Sequence, residues 1–286
     1  MKLMVRAHDL GVKGAENINK KLCELGLDGV QLVVYKAIDG ISYSPNQLSP
    51  NQAKDISQIV KQNGKDIALI GAYFNPVHPN TDKIENGIAV FKDYLSLAKD
   101  IGCDYVGSET GSYNGDPWIY HPMNHSDEAL DRVVDTFSSL AEYAESNGVN
   151  IAMEGAFGHV CHTPERLKEA VERIGKKNIK YIFDLYNYLD ISNVDTAYDI
   201  LDRGISLLGE KILLFHIKDF IIEEKLKQCG VGKGILDFDR ILTTIYKHNP
   251  NAILVLEGTV GDDLPYAVSS LSDKINKIES AHSALK

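Results

Sequence analysis

Short apolar, β-branched runs alternate along the chain with longer stretches of helical period, the pattern of repeated βα units around a parallel sheet. The runs predict strands at 2–8 (KLMVRAH), 29–35 (GVQLVVY), 67–73 (IALIGAY) and 104–109 (DYVGSE). Four more follow at 149–154 (VNIAME), 179–184 (IKYIFD), 211–217 (KILLFHI) and 252–257 (AILVLE). Between and after them, apolar positions three and four apart predict helices over 15–25, 50–63, 82–101, 126–147, 164–174, 195–208, 237–248 and 264–284. Ser126 with Glu128, Thr163-Pro164-Glu165 and Asp195 read as helix starts, and Asn63-Gly64 and Asn147-Gly148 as left-handed stops. Eight strands and eight helices in strict alternation, with no Pro/Gly/Ser-rich linker, predict an α/β fold of one domain, residues 1–286, as a (β/α)8 TIM barrel. The first strand leads into His8-Asp9-Leu10-Gly11-Val12-Lys13-Gly14, which lacks G-x-G-x-x-G, so a doubly wound dinucleotide fold is a poor fit.

Length and composition sharpen this picture. Dividing 286 residues among eight units gives about 36 each, enough for a strand, a helix and two loops. A 44% hydrophobic content excludes a disordered chain and suffices for a large core. With 40 acidic against 30 basic residues and no Lys/Arg cluster, a nucleic-acid partner is not expected. Cys23, Cys103, Cys161 and Cys229 are widely spaced with no C-x-x-C pair, as for reduced thiols. No signal peptide and no run of 18 apolar residues is visible, so a cytoplasmic protein with no membrane partner is expected. Two connections are long, 110–125 and 219–236, and both follow strands, which places them as lids over the C-terminal mouth.

In such a barrel the residue closing each strand faces that mouth. The last four strands close with Glu154, Asp184, His216 and Glu257 after apolar runs. Three carboxylates converging on one place repel strongly unless protons or a cation compensate them. With one imidazole they form a shell for a divalent cation; oxygen-rich ligation with one nitrogen suits Mn2+ first, with Mg2+, Co2+ and Zn2+ as alternatives. Glu109 closes the fourth strand and is a candidate substrate-binding or proton-relay group. His159, in the loop after Glu154, is a candidate for substrate hydroxyls, and Asn75 and Trp118 for pocket walls. Lys218 reads as an ion-pair partner or a substrate contact, and His8 as a pocket residue at the end of the first strand.

The segments MEGAFGH, FDLYN, FHIKD with GVGKGILDF behind it, and VLEG together resemble the sugar phosphate isomerase/epimerase group of the xylose isomerase-like barrel superfamily. That group includes tagatose 3-epimerase, hydroxypyruvate isomerase, and inosose dehydratase and isomerase. The likeness spans nearly the whole chain, and AYFNP around Asn75 resembles the group's third strand. It implies a Glu, Asp, His, Glu metal set at Glu154, Asp184, His216 and Glu257, with Glu154 and Glu257 on opposite sides of the substrate as acid and base. The implied activity is metal-dependent isomerisation or epimerisation of a small sugar, ketose or inosose through an enediolate. A dehydratase of an inosose-like substrate begins with the same proton abstraction and is the alternative. An endonuclease IV-like repair enzyme fits less well, because Tyr73, Glu109 and Asn187 stand where its additional histidines would be. A non-catalytic sugar-binding barrel would be expected to have a broken metal set. Members of the group are often dimers or tetramers, so a homo-oligomer fits as well. Two departures bear on the substrate. Asn187 replaces a histidine that some members have, and Lys233 stands between Gly232 and Gly234 where an acid is common. Lys233 is read either as a contact to a substrate carboxylate or phosphate, or as a solvated loop lysine.

Overall fold

The computed structural model describes residues 1–116 and 119–283. The chain runs β1 (Lys2–Arg6), α1 (Ala15–Leu25), β2 (Gly29–Leu32), α2 (Val34–Ala37), α3 (Pro50–Val60), β3 (Asp66–Gly71), α4 (Thr81–Ile101), β4 (Tyr105–Glu109) and α5 (Asp127–Ser146). It continues through β5 (Asn150–Glu154), α6 (Pro164–Ile174), β6 (Ile179–Asp184), α7 (Ala197–Leu208), β7 (Ile212–Ile217), β8 (Asp219–Ile222), β9 (Leu226–Cys229), α8 (Phe238–His248), β10 (Ile253–Leu256) and α9 (Asp263–Ser283). Strands β1 to β7 and β10 close a parallel barrel in the order β1-β10-β7-β6-β5-β4-β3-β2. The eightfold division of the sequence is therefore real.

Side-chain alternation along each strand separates two cores. Met4, Leu69, Ala152, Ile182, Leu214 and Val255 pack together inside the barrel. Their strand neighbours Leu3, Val5, Ile151, Met153, Tyr181, Phe183, Phe215 and Leu254 belong to the larger core that includes the helices. Gly107 fits the inner layer because a Cβ there would lie 3.0 Å from both Ile182 Cδ1 and Leu69 Cδ1. With a period of two, a residue two positions beyond an inner one again faces inward, at the C-terminal end. That rule carries Met4 to Arg6, Gly107 to Glu109, Ala152 to Glu154, Ile182 to Asp184, Leu214 to His216, and Val255 to Glu257. Strand register aligns these ends, with Glu109 opposite Glu154 and Asp184 opposite His216.

Helix starts reflect local chemistry. Ser126 accepts from Ala129 N and Thr163 from Arg166 N, with Pro164 in the first turn of α6. The start expected at Asp195 is displaced: Asp195 lies in a short turn, and Thr196 precedes α7 without a side-chain cap. Strand β1 ends at Arg6 rather than residue 8, because residues 7–10 curl into a 3-10 turn closed by Gly11 at φ 71°. The long connection after β7 is partly regular: β8 and β9 pair antiparallel from Asp219–Cys229 to Ile222–Leu226. Its base is fixed by the buried Asp219 carboxylate, which accepts from the backbone of Phe220, Gly232, Gly234 and Leu236. This acid works together with the buried Phe220 and Val231, which join the main core. No helix among the described residues is long and apolar enough to cross a membrane.

Candidate metal centre

At the C-terminal mouth, β5, β6, β7 and the residue after β10 bring Glu154, Asp184, His216 and Glu257 together. One ligand atom from each lies within 4.8 Å of all the others. His216 Nδ1 stands 3.0 Å from Glu154 Oε1, 3.6 Å from Asp184 Oδ2 and 2.9 Å from Glu257 Oε2. Neighbouring ligands of one ion at ~2.1 Å are about 3.0–3.5 Å apart, so these spacings and this donor set fit a divalent cation. The opposite imidazole nitrogen, Nε2, is 2.7 Å from Gln31 Oε1, whose amide can only accept there. That partner places the proton on Nε2 and leaves Nδ1 as the ligand atom. Gln31 is itself fixed, donating through Nε2 to the Tyr73 hydroxyl at 2.7 Å. Gln31 is fully buried and, standing between the outer-core Val30 and Leu32 and level with Arg6, takes the inward phase of β2.

Two fixed cations, Lys218 and Arg6, compensate the carboxylates. Lys218 Nζ lies 2.9 Å from Asp184 Oδ2, 2.8 Å from Glu257 Oε1 and 2.9 Å from Asn187 Oδ1. Three ammonium hydrogens therefore meet three acceptors, which leaves none for a substrate in this arrangement. Arg6 donates through Nη1 to Glu257 Oε1 at 2.8 Å and grips Asp9 through Nε and Nη2. Asp9 is held in turn by the backbone N–H of Gly258 at 2.7 Å. His216 is also drawn toward its charged form, in which Nδ1 carries a proton that a bound metal would displace. Burial opposes its charge, yet Glu154 and Glu257 outweigh burial and hold the imidazole well above its ordinary value.

The two glutamates sit in contrasting environments. Burial would raise Glu257, but Lys218, His216 and Arg6 prevail and pull its carboxyl well below the usual range. Glu154 is raised, chiefly by burial and despite His216. Its Oε1 accepts from Asn187 Nδ2 at 2.8 Å and faces His216, while Oε2 has no hydrogen bond to a described residue. Burial next to Glu154 and Glu257 pushes the Glu109 acid up to about 8.

Above this cluster opens a cavity of about 520 Å³, walled in part by Arg6, Phe157, Tyr186, Lys218 and Gln228. The ribbon β8–β9 forms one side of it, and Gln228 Nε2 donates to the Glu257 carbonyl at 2.7 Å. The remaining sequence candidates are placed differently. Asn75 spends its amide as a clasp, donating to the carbonyls of Ser112 and Asn114 and accepting from Val77 N. His159 is fully buried in the loop after β5. Lys233 is exposed at the surface and pairs with Asp263 rather than entering the mouth. Trp118 lies outside the described residues. Sequence reasoning missed Arg6, Asp9 and Gln31. Arg6 had a usable signal, since it stands two residues beyond an inward Met4, but the strand pattern reads on to His8. Gln31 had the same signal, a polar residue in the inward phase between Val30 and Leu32, but the apolar run GVQLVVY reads on past it to Tyr35.

The profile of the family described as Xylose isomerase-like TIM barrel matches residues 20–275. A probable L-ribulose-5-phosphate 3-epimerase, UlaE, of Mycoplasma pneumoniae is 26% identical over 178 residues. The match takes in 62% of this chain and 54% of that protein, so it spans about half the relative's length. A solved D-tagatose 3-epimerase-like protein superimposes with a TM-score of 0.76 at 19% identity, covering 98% of this chain and 99% of the other. The IOLI protein, solved with a bound zinc atom, gives 0.71 at 17% identity over 98% and 99%. At these identities the structural matches speak to the fold.

Proposed function

The chain belongs to the xylose isomerase-like TIM-barrel family, and from that premise we propose that it is a divalent-metal-dependent isomerase or epimerase of a small sugar or ketose. The observation that carries the reading is the convergence of Glu154, Asp184, His216 and Glu257 beneath an open cavity. The epimerase relative from Mycoplasma pneumoniae supports the same reaction class.

A cation held by those four side chains would supply Lewis-acid polarisation of an α-hydroxy carbonyl, lowering the cost of enediolate formation. The chain's own groups then divide the proton work. Glu154, whose Oε2 has no hydrogen bond to a described residue, is the better placed to take the C–H proton. Glu257, clamped by Arg6 and Lys218 on one oxygen, is a weaker base and faces the substrate from the other side. Asn187 orients the Glu154 carboxylate, and Gln31 orients His216. Phe157 and Tyr186 bound the cavity and limit water around the reacting carbons.

The test is proton NMR in deuterium oxide with ketopentoses and ketohexoses, using protein stripped of metal and then loaded with Mn2+, Mg2+, Co2+ or Zn2+ in separate samples. The expected result is metal-dependent deuterium incorporation next to the carbonyl, lost in Glu154→Gln while that variant still binds metal. Absence of exchange with every ketose and every metal would overturn the proposal, as would full turnover by Glu154→Gln.

A further inference from the structure

A second cavity, of about 120 Å³, touches Glu154 and Glu257 and extends toward the ends of β1 and β2. Three basic side chains line it, Arg6, His8 and Lys36, with Tyr73 and Glu109 across from them. Each has donor capacity that the protein leaves unused. Arg6 commits Nε, Nη1 and Nη2 once each, to Asp9 and Glu257, so two of its five N–H groups remain. Lys36 Nζ makes no ion pair among the described residues and lies 5.8 Å from the centroid of the Tyr35 ring. His8 Nδ1 is buried without a hydrogen-bond partner among the described residues, while Nε2 lies 3.9 Å from Asp9 Oδ1. Buried polar atoms left unpaired are costly and rare. An orphaned imidazole nitrogen beside spare guanidinium donors and an ammonium at the rim is built for a group that arrives later.

Donor chemistry gives the class of the visitor: spare guanidinium hydrogens of Arg6, the Lys36 ammonium and the His8 imidazole line the same corner. An Arg-Lys pair with an imidazole suits an oxyanion, where a neutral hydroxyl would leave both charges poorly met.

We propose that Arg6, His8 and Lys36 form an oxyanion seat that takes a phosphate or carboxylate group at the end of the substrate remote from the metal. This rests on the sugar-isomerase reading of the same site and narrows it to anionic ketoses. It also moves anion recognition from the loop carrying Lys233, which is tied to Asp263, to the ends of β1 and β2.

Isothermal titration calorimetry on the metal-loaded protein tests this with ribulose, ribulose 5-phosphate, a keto-uronate and inorganic phosphate, for wild type, Lys36→Met and His8→Gln. The expected result is at least tenfold tighter binding of one anionic ketose than of ribulose. Lys36→Met should lose about tenfold for the anionic ligand and less than twofold for ribulose, with metal affinity retained as the check on folding. His8→Gln should show the same selective loss and serves where Lys36→Met does not fold. Preference for ribulose 5-phosphate, accompanied by competition from inorganic phosphate, assigns the seat to a phosphate; preference for the uronate assigns it to a carboxylate. Equal affinity for neutral and anionic ketoses overturns the proposal, as does an equal loss for both in the variants. Because calorimetry reads binding, an anion-selective protein that exchanges no proton would sink the isomerase reading alone. Deuterium exchange with neutral ketoses and no anion preference would sink only the seat.

Discussion

Replacing Lys218 by Met removes the one ammonium that bridges Asp184 and Glu257 while nearly preserving the volume of its buried stem. Side-chain exposure is 4% for Lys218 and 0% for Asp184, so water screens this bridge poorly. Removing one partner of a buried ion pair typically costs ~3–5 kcal/mol, because the remaining charge is stranded. Arg6 and His216 still face Glu257, which places the metal-free variant near the lower end. At roughly 2–4 °C per kcal/mol, a loss of about 3 kcal/mol lowers the melting temperature by roughly 6–12 °C. The same change should tighten metal binding. The cation no longer meets a fixed positive charge beside two of its ligands, and the empty site it fills is less stable. An increase of at least tenfold, about 1.4 kcal/mol, is expected. Thermal melts of metal-free and metal-saturated protein, together with competition titration against a chelator, read both effects. Metal should close most of the gap in melting temperature between variant and wild type. A metal-free variant as stable as wild type, or one that binds metal no more tightly, would refute the reasoning.

Two further perturbations probe the surroundings. Gln31→Leu leaves His216 Nε2 and the Tyr73 hydroxyl without their shared partner, at ~1–3 kcal/mol for each buried group, and should weaken metal binding by ~10–100-fold. Unchanged metal affinity, measured beside a urea unfolding curve, would show that the imidazole is positioned by something else. Glu109 has its acid raised to about 8 in the folded chain, so its protonated form is the one folding favours. Its contribution is fully present below the ordinary carboxyl range near 4.5 and is lost as pH rises toward 8. Urea unfolding of metal-free protein across that range should therefore show wild type losing on the order of a few kcal/mol relative to Glu109→Gln; parallel curves would contradict it.

The strand ends were legible because a barrel strand obeys a period of two and its interior is apolar until the mouth. A charged residue in the inward phase after Ala152, Ile182, Leu214 or Val255 stands out in the sequence. Its direction comes from the alternation alone. Loop residues carry no such phase. His159, Asn75 and Lys233 sit in connections whose backbone is set by local hydrogen bonds, and those turned Asn75 into a clasp and Lys233 toward Asp263. The same holds for the connection after β7, where a buried Asp219 organises a ribbon that hydropathy reads only as a long loop.

The sequence by itself determined the eightfold alternation, the inward phase of each strand and hence the four polar ends that share one mouth. Those are consequences of periodicity and local preference, and they survive without knowledge of any distant contact. Tertiary structure decided the electrostatics. Arg6 reaches Glu257 across 251 positions, Gln31 meets His216 across 185, and Lys218 links β6 to the end of β10. Barrel closure brings these groups within hydrogen-bond distance. Because such interactions depend on distance and burial rather than on spacing along the chain, only the closed barrel separates a clamped Glu257 from a Glu154 with one oxygen that no described residue engages.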